Sequence, residues 1–128
     1  MKGINVLIVE DNKTFRQSLK GVLEKGFSGL NIHEASDALE ACNIFKSVIP
    51  DIIFMDIKLP GMNGLELTKK IHSEHPDLPI FVLTSYDLPE YREAAYKCGA
   101  RHFLTKGNAR EVDVVRFVSG VLAAFEKK

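Results

Sequence analysis

The sequence has little of several features that define whole classes of protein. It contains two cysteines, no tryptophan and no apolar run near the roughly 18 residues needed to cross a bilayer. Its 17 Lys and Arg residues balance 17 Asp and Glu residues, so no net charge favours binding to nucleic acid or an anionic membrane. We therefore expect neither nucleic acid nor membrane among the direct partners of this chain.

The cysteines and the N-terminal residues indicate a reducing compartment. Cys42 and Cys98 stand apart in apolar stretches, without the spacing of a metal or redox motif, so we expect two buried free thiols. Glu10 and Asp11 end the first apolar run too early for the core of a signal peptide. The expected location is cytoplasmic.

Length and patterning predict one α/β domain over residues 1–128, with 45% hydrophobic and 27% charged residues. Short apolar runs alternate with segments of helical periodicity. Such alternation predicts five strands and five helices in a doubly wound parallel sheet. The predicted strands cover residues 4–9, 31–35, 51–57, 79–84 and 102–105, and Asn108 is predicted to cap a last helix that reaches residue 125.

Polar residues follow several of the predicted strands, at the edge where open α/β sheets bind ligands. They are Glu10 and Asp11 after strand 1, Asp56 at strand 3, Thr84 at strand 4 and Lys106 at strand 5. Each has an ordinary alternative: Asp11 as a helix N-cap, Thr84 as a strand residue, Lys106 as a solvated charge. Asp56 is harder to explain structurally, because it interrupts an apolar run and an ionised carboxylate there needs a partner.

Together these groups favour phosphoryl chemistry. Three carboxylates in one pocket repel each other unless a cation neutralises them, and hard oxygen ligands suit Mg²⁺. An aspartate can act as the nucleophile that forms an aspartyl-phosphate. Mg²⁺, Lys106 and Thr84 would then neutralise and hydrogen-bond the phosphoryl oxygens.

The sequence resembles the receiver domain of two-component response regulators over essentially its whole length. The resemblance lies in Val-Glu-Asp at 9–11, Met-Asp-Ile-Lys-Leu-Pro-Gly-Met-Asn-Gly at 55–64, Leu-Thr-Ser at 83–85 and Phe-Leu-Thr-Lys at 103–106. It implies a flavodoxin-like (βα)5 fold with strand order 2-1-3-4-5. It also implies a Mg²⁺-dependent phospho-acceptor rather than a turnover enzyme, served by a histidine kinase or phosphotransfer protein.

The resemblance assigns roles to particular residues. Asp56 matches the phospho-acceptor, Asp11 the direct Mg²⁺ ligand and Glu10 the second acid, while Lys58 supplies a backbone carbonyl to the metal. Lys106 matches the lysine that pairs with the phosphoryl group.

The implied switch consists of the Thr84 hydroxyl and the aromatic ring of Phe103, which together reshape the face of helix 4, strand 5 and helix 5. Lys58 and Tyr86 occupy positions that tune dephosphorylation in this family. We hypothesise that Tyr86 shields the phosphoryl group from water, against the alternative of an ordinary exposed loop tyrosine.

Gly107 after Lys106, where many receivers have proline, looks closer to receivers joined to a LuxR-type helix-turn-helix. We expect no effector domain in this chain after the fifth helix, and therefore either a truncated chain with a transcriptional output or a stand-alone receiver acting through protein contacts. Homodimerisation on phosphorylation is a further expectation.

Three alternatives fit the residues less well. An aspartate-nucleophile phosphatase resembles Asp-x-Asp, whereas Asp56 is followed by Ile57 and Lys58. A nucleotide- or flavin-binding domain needs a glycine-rich phosphate loop, which is absent. A degenerate scaffold would not need all five polar groups. A wide apolar face on helix 5 is interpreted as a deeply seated helix, with an interaction surface as the alternative.

Overall fold

The five apolar runs form one parallel sheet with the strand order β2-β1-β3-β4-β5, as expected. The computed structural model describes residues 3–85, 87–107 and 111–126. The strands are β1 (Ile4–Val9), β2 (Leu30–Ala35), β3 (Ile52–Asp56), β4 (Ile80–Thr84) and β5 (His102–Thr105). The helices are α1 (Lys13–Gly26), α2 (Ala38–Phe45), α3 (Gly64–Glu74), α4 (Pro89–Lys97) and α5 (Glu111–Glu126).

Alternating side chains of the strands feed two apolar cores, one on each face of the sheet. One core packs β-strand residues such as Met55 and Val82 against α2, α3 and α4. The other packs Ile8, Phe54 and their neighbours against α1 and α5. The predicted doubly wound α/β architecture is therefore confirmed.

Side-chain caps fix where the first three helices begin. The side chains of Asn12, Asp37 and Asn63 accept backbone N–H groups in the first turns of α1, α2 and α3. The alternative of Asp11 as the cap of the first helix is wrong, since Asn12 takes that position. The predicted Asn108 cap lies outside the described residues.

Helix α4 ends in a Schellman motif at Gly99, the position predicted for a C-terminal glycine. The Gly99 N–H donates to the Tyr96 carbonyl at 3.1 Å, and the Ala100 N–H donates to the Ala95 carbonyl at 3.0 Å. Gly99 has φ 108°, which a residue with a side chain rarely adopts.

Two further predictions concern the burial of the cysteines and of the apolar face of α5. Cys42 and Cys98 are free, but both are partly rather than fully buried, and Cys42 packs against the edge of the first core. Four apolar side chains of α5, from Val114 to Leu122, are buried, and its Phe117 and Phe125 are half-buried against the same core. The apolar face of α5 is thus largely used within the fold. Within the described ranges, none of the helices is long and apolar enough to cross a membrane.

Candidate functional site

Strand alternation brings two acids and a lysine to one face of the sheet. Ile8 of β1 is in register with Phe54 of β3, so Glu10 and Asp56, two residues further along, are neighbours on that face. Lys106 follows Leu104 of β5 by the same interval and approaches them from across β4. The three side chains meet at the carboxyl edge of the sheet.

Lys106 is the cation between these two buried carboxylates. Its Nζ lies 2.6 Å from Oε1 of Glu10 and 3.4 Å from Oδ2 of Asp56. Glu10 is 2% exposed and Asp56 is 5% exposed, so both acids lie beneath the surface. The ring of Phe15 stands 4.7 Å from the ammonium group and shields it further. The lysine therefore offsets part of the electrostatic cost of this pair.

Glu10 is held at nearly every polar atom. Its N–H donates to the Ala35 carbonyl at 2.9 Å, which extends the pairing of β1 with β2. Its carboxylate accepts the Asn12 N–H at 3.0 Å, and its carbonyl accepts the Arg16 guanidinium at 2.6 Å. The turn that presents Glu10 and Asp11 is thus tied to the start of α1.

Asp11 completes a cluster of three acids. One carboxylate oxygen from each of Glu10, Asp11 and Asp56 lies within 4.8 Å of the others. Asp11 is exposed while its partners are buried, so the cluster opens to solvent on one side. Carboxylate oxygens with an open, hydrated side are the donor set that suits Mg²⁺, which keeps several of its waters when bound. The residues present fit that ion.

Burial makes the carboxyl group of Asp56 a weaker acid than that of an ordinary aspartate. Loss of water around its carboxylate and the neighbouring Glu10 charge raise its pKa from 3.8 to about 6, while Lys106 opposes the rise. The group is therefore more basic than an ordinary aspartate yet still ionised at neutral pH. Such a perturbed carboxylate in a cluster marks a candidate nucleophile.

The loop after β3 explains the Pro-Gly-Met-Asn-Gly run at residues 60–64. Gly61 has φ 78°, which favours glycine, and Asn63 caps α3. Gly64 is required by close packing, because a Cβ there would lie 1.9 Å from the carbonyl oxygen of Asp56. Its N–H donates to the Ile57 carbonyl at 2.8 Å. The motif thus folds α3 tightly against the strand end that carries the acid.

Thr84 and Phe103 lie on the other face of the sheet. Thr84 pairs with Thr105 and Val82 pairs with Phe103, so the threonine and the aromatic ring are diagonal neighbours on adjacent strands. Thr84 is fully buried, and the Lys106 N–H donates to its carbonyl at 2.8 Å. Phe103 is 4% exposed and lies beneath the guanidinium of Arg92, at 4.9 Å. Phe103 therefore points inward in this structure.

The structure describes only one of the two residues that are predicted to tune dephosphorylation. Lys58 is exposed, with its ammonium group 5.9 Å from the Tyr91 ring, which links the β3–α3 loop to α4. Tyr86 lies outside the described residues.

Sequence reasoning missed the groups that support the acids from α1. It singles out neither Phe15 nor Arg16 as part of the site. Arg16 gives a weak signal in the sequence: it lies one turn into the helix after strand 1, and the acid Glu34 nears the end of strand 2 beside it. The His72–His75 stretch forms the C-terminal end of α3, with His75 as its C-cap residue. Among the described residues, it is not part of a cluster that could hold a metal ion.

The chain belongs to the response regulator receiver domain family, because the model of that family matches residues 6–115. A doubly wound fold with acids at the carboxyl edge of the sheet agrees with that assignment.

Individual relatives give the same result. Response regulator MprA of Mycobacterium bovis is 35% identical over 108 residues, which are 84% of this chain and 46% of that protein. The chain thus spans about half the length of this curated relative. A CheY-like receiver domain protein from Methanospirillum hungatei is 28% identical with a TM-score of 0.86, covering 97% of both chains.

A LuxR-family response regulator from Aurantimonas sp. is 27% identical with a TM-score of 0.82, covering 94% of this chain and 85% of that one. LuxR-type similarity therefore appears among the solved structures, while the family as a whole is the receiver family.

Proposed function

We propose that this domain is a phosphorylation-dependent switch in which Asp56 accepts a phosphoryl group from a phosphohistidine. The observation that carries the proposal is the buried Asp56 carboxylate, whose pKa is raised to about 6, in one cluster with Glu10, Asp11 and the Lys106 ammonium. The known family of the chain supplies the class of reaction.

In the proposed step, a carboxylate oxygen of Asp56 attacks the phosphorus atom of the donor. A new P–O bond forms, the P–N bond to the donor imidazole breaks, and the imidazole nitrogen takes the released electron pair. Mg²⁺ held by Glu10, Asp11, Asp56 and the Lys58 carbonyl would neutralise the phosphoryl oxygens. Lys106, whose Nζ lies 2.6 Å from Glu10 and 3.4 Å from Asp56, would pair with the same oxygens.

The proposed output runs through Thr84, whose hydroxyl would donate to the phosphoryl group, and Phe103 on the α4-β5-α5 face. A hydrogen bond to a charged group contributes about 1.5–3 kcal/mol, whereas a nearly complete switch needs about 5.5 kcal/mol. Thr84 alone is too weak, so Lys106 or a partner that selects the active form must supply the rest.

Partners, location and output complete the proposal. The donor is a histidine kinase or phosphotransfer protein, and the domain promotes its own phosphorylation without being a turnover enzyme. We place it in the cytoplasm, where the unpaired thiols of Cys42 and Cys98 stay reduced. Transcriptional control and phosphorylation-dependent homodimerisation are the proposed consequences, and Lys58 and Tyr86 the proposed modulators of dephosphorylation.

Intact mass after incubation with acetyl phosphate tests the acceptor. We expect one phosphoryl group to be gained only with Mg²⁺ present, and to be lost in Asp56→Asn. Asp77→Asn is the matched control, because Asp77 is an exposed aspartate before β4, at the opposite edge of the sheet. A phosphoryl gain that persists in Asp56→Asn, or that never appears even with a phosphohistidine donor, would overturn the proposal.

A further inference from the structure

Arg16 joins two strand ends through one side chain. Its Nε donates to Oε1 of Glu34, at the end of β2, at 2.9 Å, while a terminal guanidinium nitrogen donates to the Glu10 carbonyl at 2.6 Å. The arginine side chain is only 14% exposed. One planar group therefore connects β2 and the turn after β1 from the first turn of α1.

Glu34 anchors this arginine firmly. Besides Arg16, its carboxylate accepts Gln17 and the Lys20 ammonium, the latter at 3.3 Å. Burial acts to raise the pKa of Glu34, but the hydrogen bonds from Arg16 and Lys20 outweigh it and lower the pKa overall. Glu34 thus stays ionised and holds the guanidinium in one orientation, which uses the fork geometry that lysine lacks.

The carbonyl that Arg16 binds belongs to the peptide unit between Glu10 and Asp11. Because that peptide sets the direction in which both acids leave the backbone, its orientation decides whether their oxygens converge on one ion. We propose that Arg16 is a positioning residue that orients the Glu10–Asp11 turn for cation binding. This inference rests on the proposed function, since it concerns the same acidic cluster.

A positioning role and a purely electrostatic role of Arg16 predict opposite changes in Mg²⁺ affinity when the side chain is removed. Removing a positive charge near three carboxylates strengthens their attraction for Mg²⁺ through the electric field alone. Removing a group that orients a ligand weakens metal binding, by about 10- to 100-fold for comparable supporting residues. The sign of the change in Mg²⁺ affinity therefore separates the two roles of Arg16.

Lys20 provides a matched control on the same helix. Arg16→Met and Lys20→Met each remove one cation paired with Glu34, but only Arg16 contacts the Glu10 carbonyl. The Mg²⁺ dissociation constant is measured by calorimetry for wild type and both variants, with a urea titration to confirm that each is folded. We expect Arg16→Met to bind Mg²⁺ at least about tenfold more weakly and Lys20→Met to bind it equally or more tightly.

Arg16→Lys adds a variant that keeps the charge but replaces the planar fork of the guanidinium with a single ammonium group. We expect its Mg²⁺ affinity to fall with that of Arg16→Met. Equal affinities for Arg16→Met and Lys20→Met, or wild-type affinity in Arg16→Lys, would overturn the inference. If wild type itself neither bound Mg²⁺ nor gained a phosphoryl group, the proposed function would fail with it, so the two failures are distinguishable.

Discussion

Asp56→Asn should stabilise the domain at neutral pH in the absence of Mg²⁺. Folding raises the pKa of Asp56 from 3.8 to about 6, so the native state binds more protons than the unfolded state between those values. Stability from this group is therefore complete below about pH 4 and is lost as the pH rises through about 6. At about 1.4 kcal/mol for each tenfold change, the loss is at most about 3 kcal/mol.

Screening by water at the open side of the cluster reduces that limit, and we expect a gain of about 1–2 kcal/mol for the variant at pH 7.5. Urea unfolding of wild type and Asp56→Asn from pH 4 to 8 measures it. The difference between the two stability curves removes the titration of the carboxylates that lie away from Asp56. It should be smallest near pH 4, grow through pH 6 and level off above pH 7. A difference that stayed flat with pH would refute the assigned burial of an ionised Asp56.

Three further predictions concern Gly64, Thr68 and Thr84. Gly64→Ala should lower the free energy of unfolding by several kcal/mol and slow phosphorylation, because its Cβ would lie 1.9 Å from the carbonyl oxygen of Asp56. Gly21→Ala in α1 is the control, because a Cβ there meets open space, and it should raise the free energy of unfolding by about 0.5–1 kcal/mol. Urea unfolding measures both changes. Thr68→Val should raise the free energy of unfolding by about 1 kcal/mol, because the fully buried Thr68 hydroxyl has no hydrogen-bond partner among the described residues. Thr84→Val should leave the gain of phosphoryl mass intact but remove the chemical shift changes that phosphorylation causes on α4 and β5. If the variant showed the same shift changes as wild type, Thr84 would not be the switch residue.

The sequence predicted the sheet and the meeting of its acids for a simple reason. Parallel strands buried on both faces read as continuous apolar runs, so the polar residue that ends each run is conspicuous. Glu10, Asp56 and Lys106 are separated by up to 96 positions in the chain, but each lies at or near the end of a predicted strand. Their convergence then follows from strand order and parallel direction alone.

The supporting contacts were not predictable in the same way. Arg16 acts through a backbone carbonyl, which carries no side-chain signature, and its partner Glu34 looks like any polar residue of an edge strand. Gly64 is required by a close approach to the Asp56 carbonyl that depends on the path of the loop between them. Partial burial of Cys42 and Cys98 likewise depends on where the helix margins lie, which periodicity locates only roughly.

The position of Phe103 limits where the free energy of the proposed switch can arise. An aromatic side chain buries about 150–250 Å². Since Phe103 is already 96% buried beneath Arg92, completing its burial would remove about 10 Å² from water, which contributes only about 0.3 kcal/mol. That is far below the roughly 5.5 kcal/mol of a full switch. The free energy of the proposed switch must therefore come from charged contacts at the carboxyl edge. The hydrogen bond from the Lys106 N–H to the Thr84 carbonyl connects those contacts to the opposite face of the sheet.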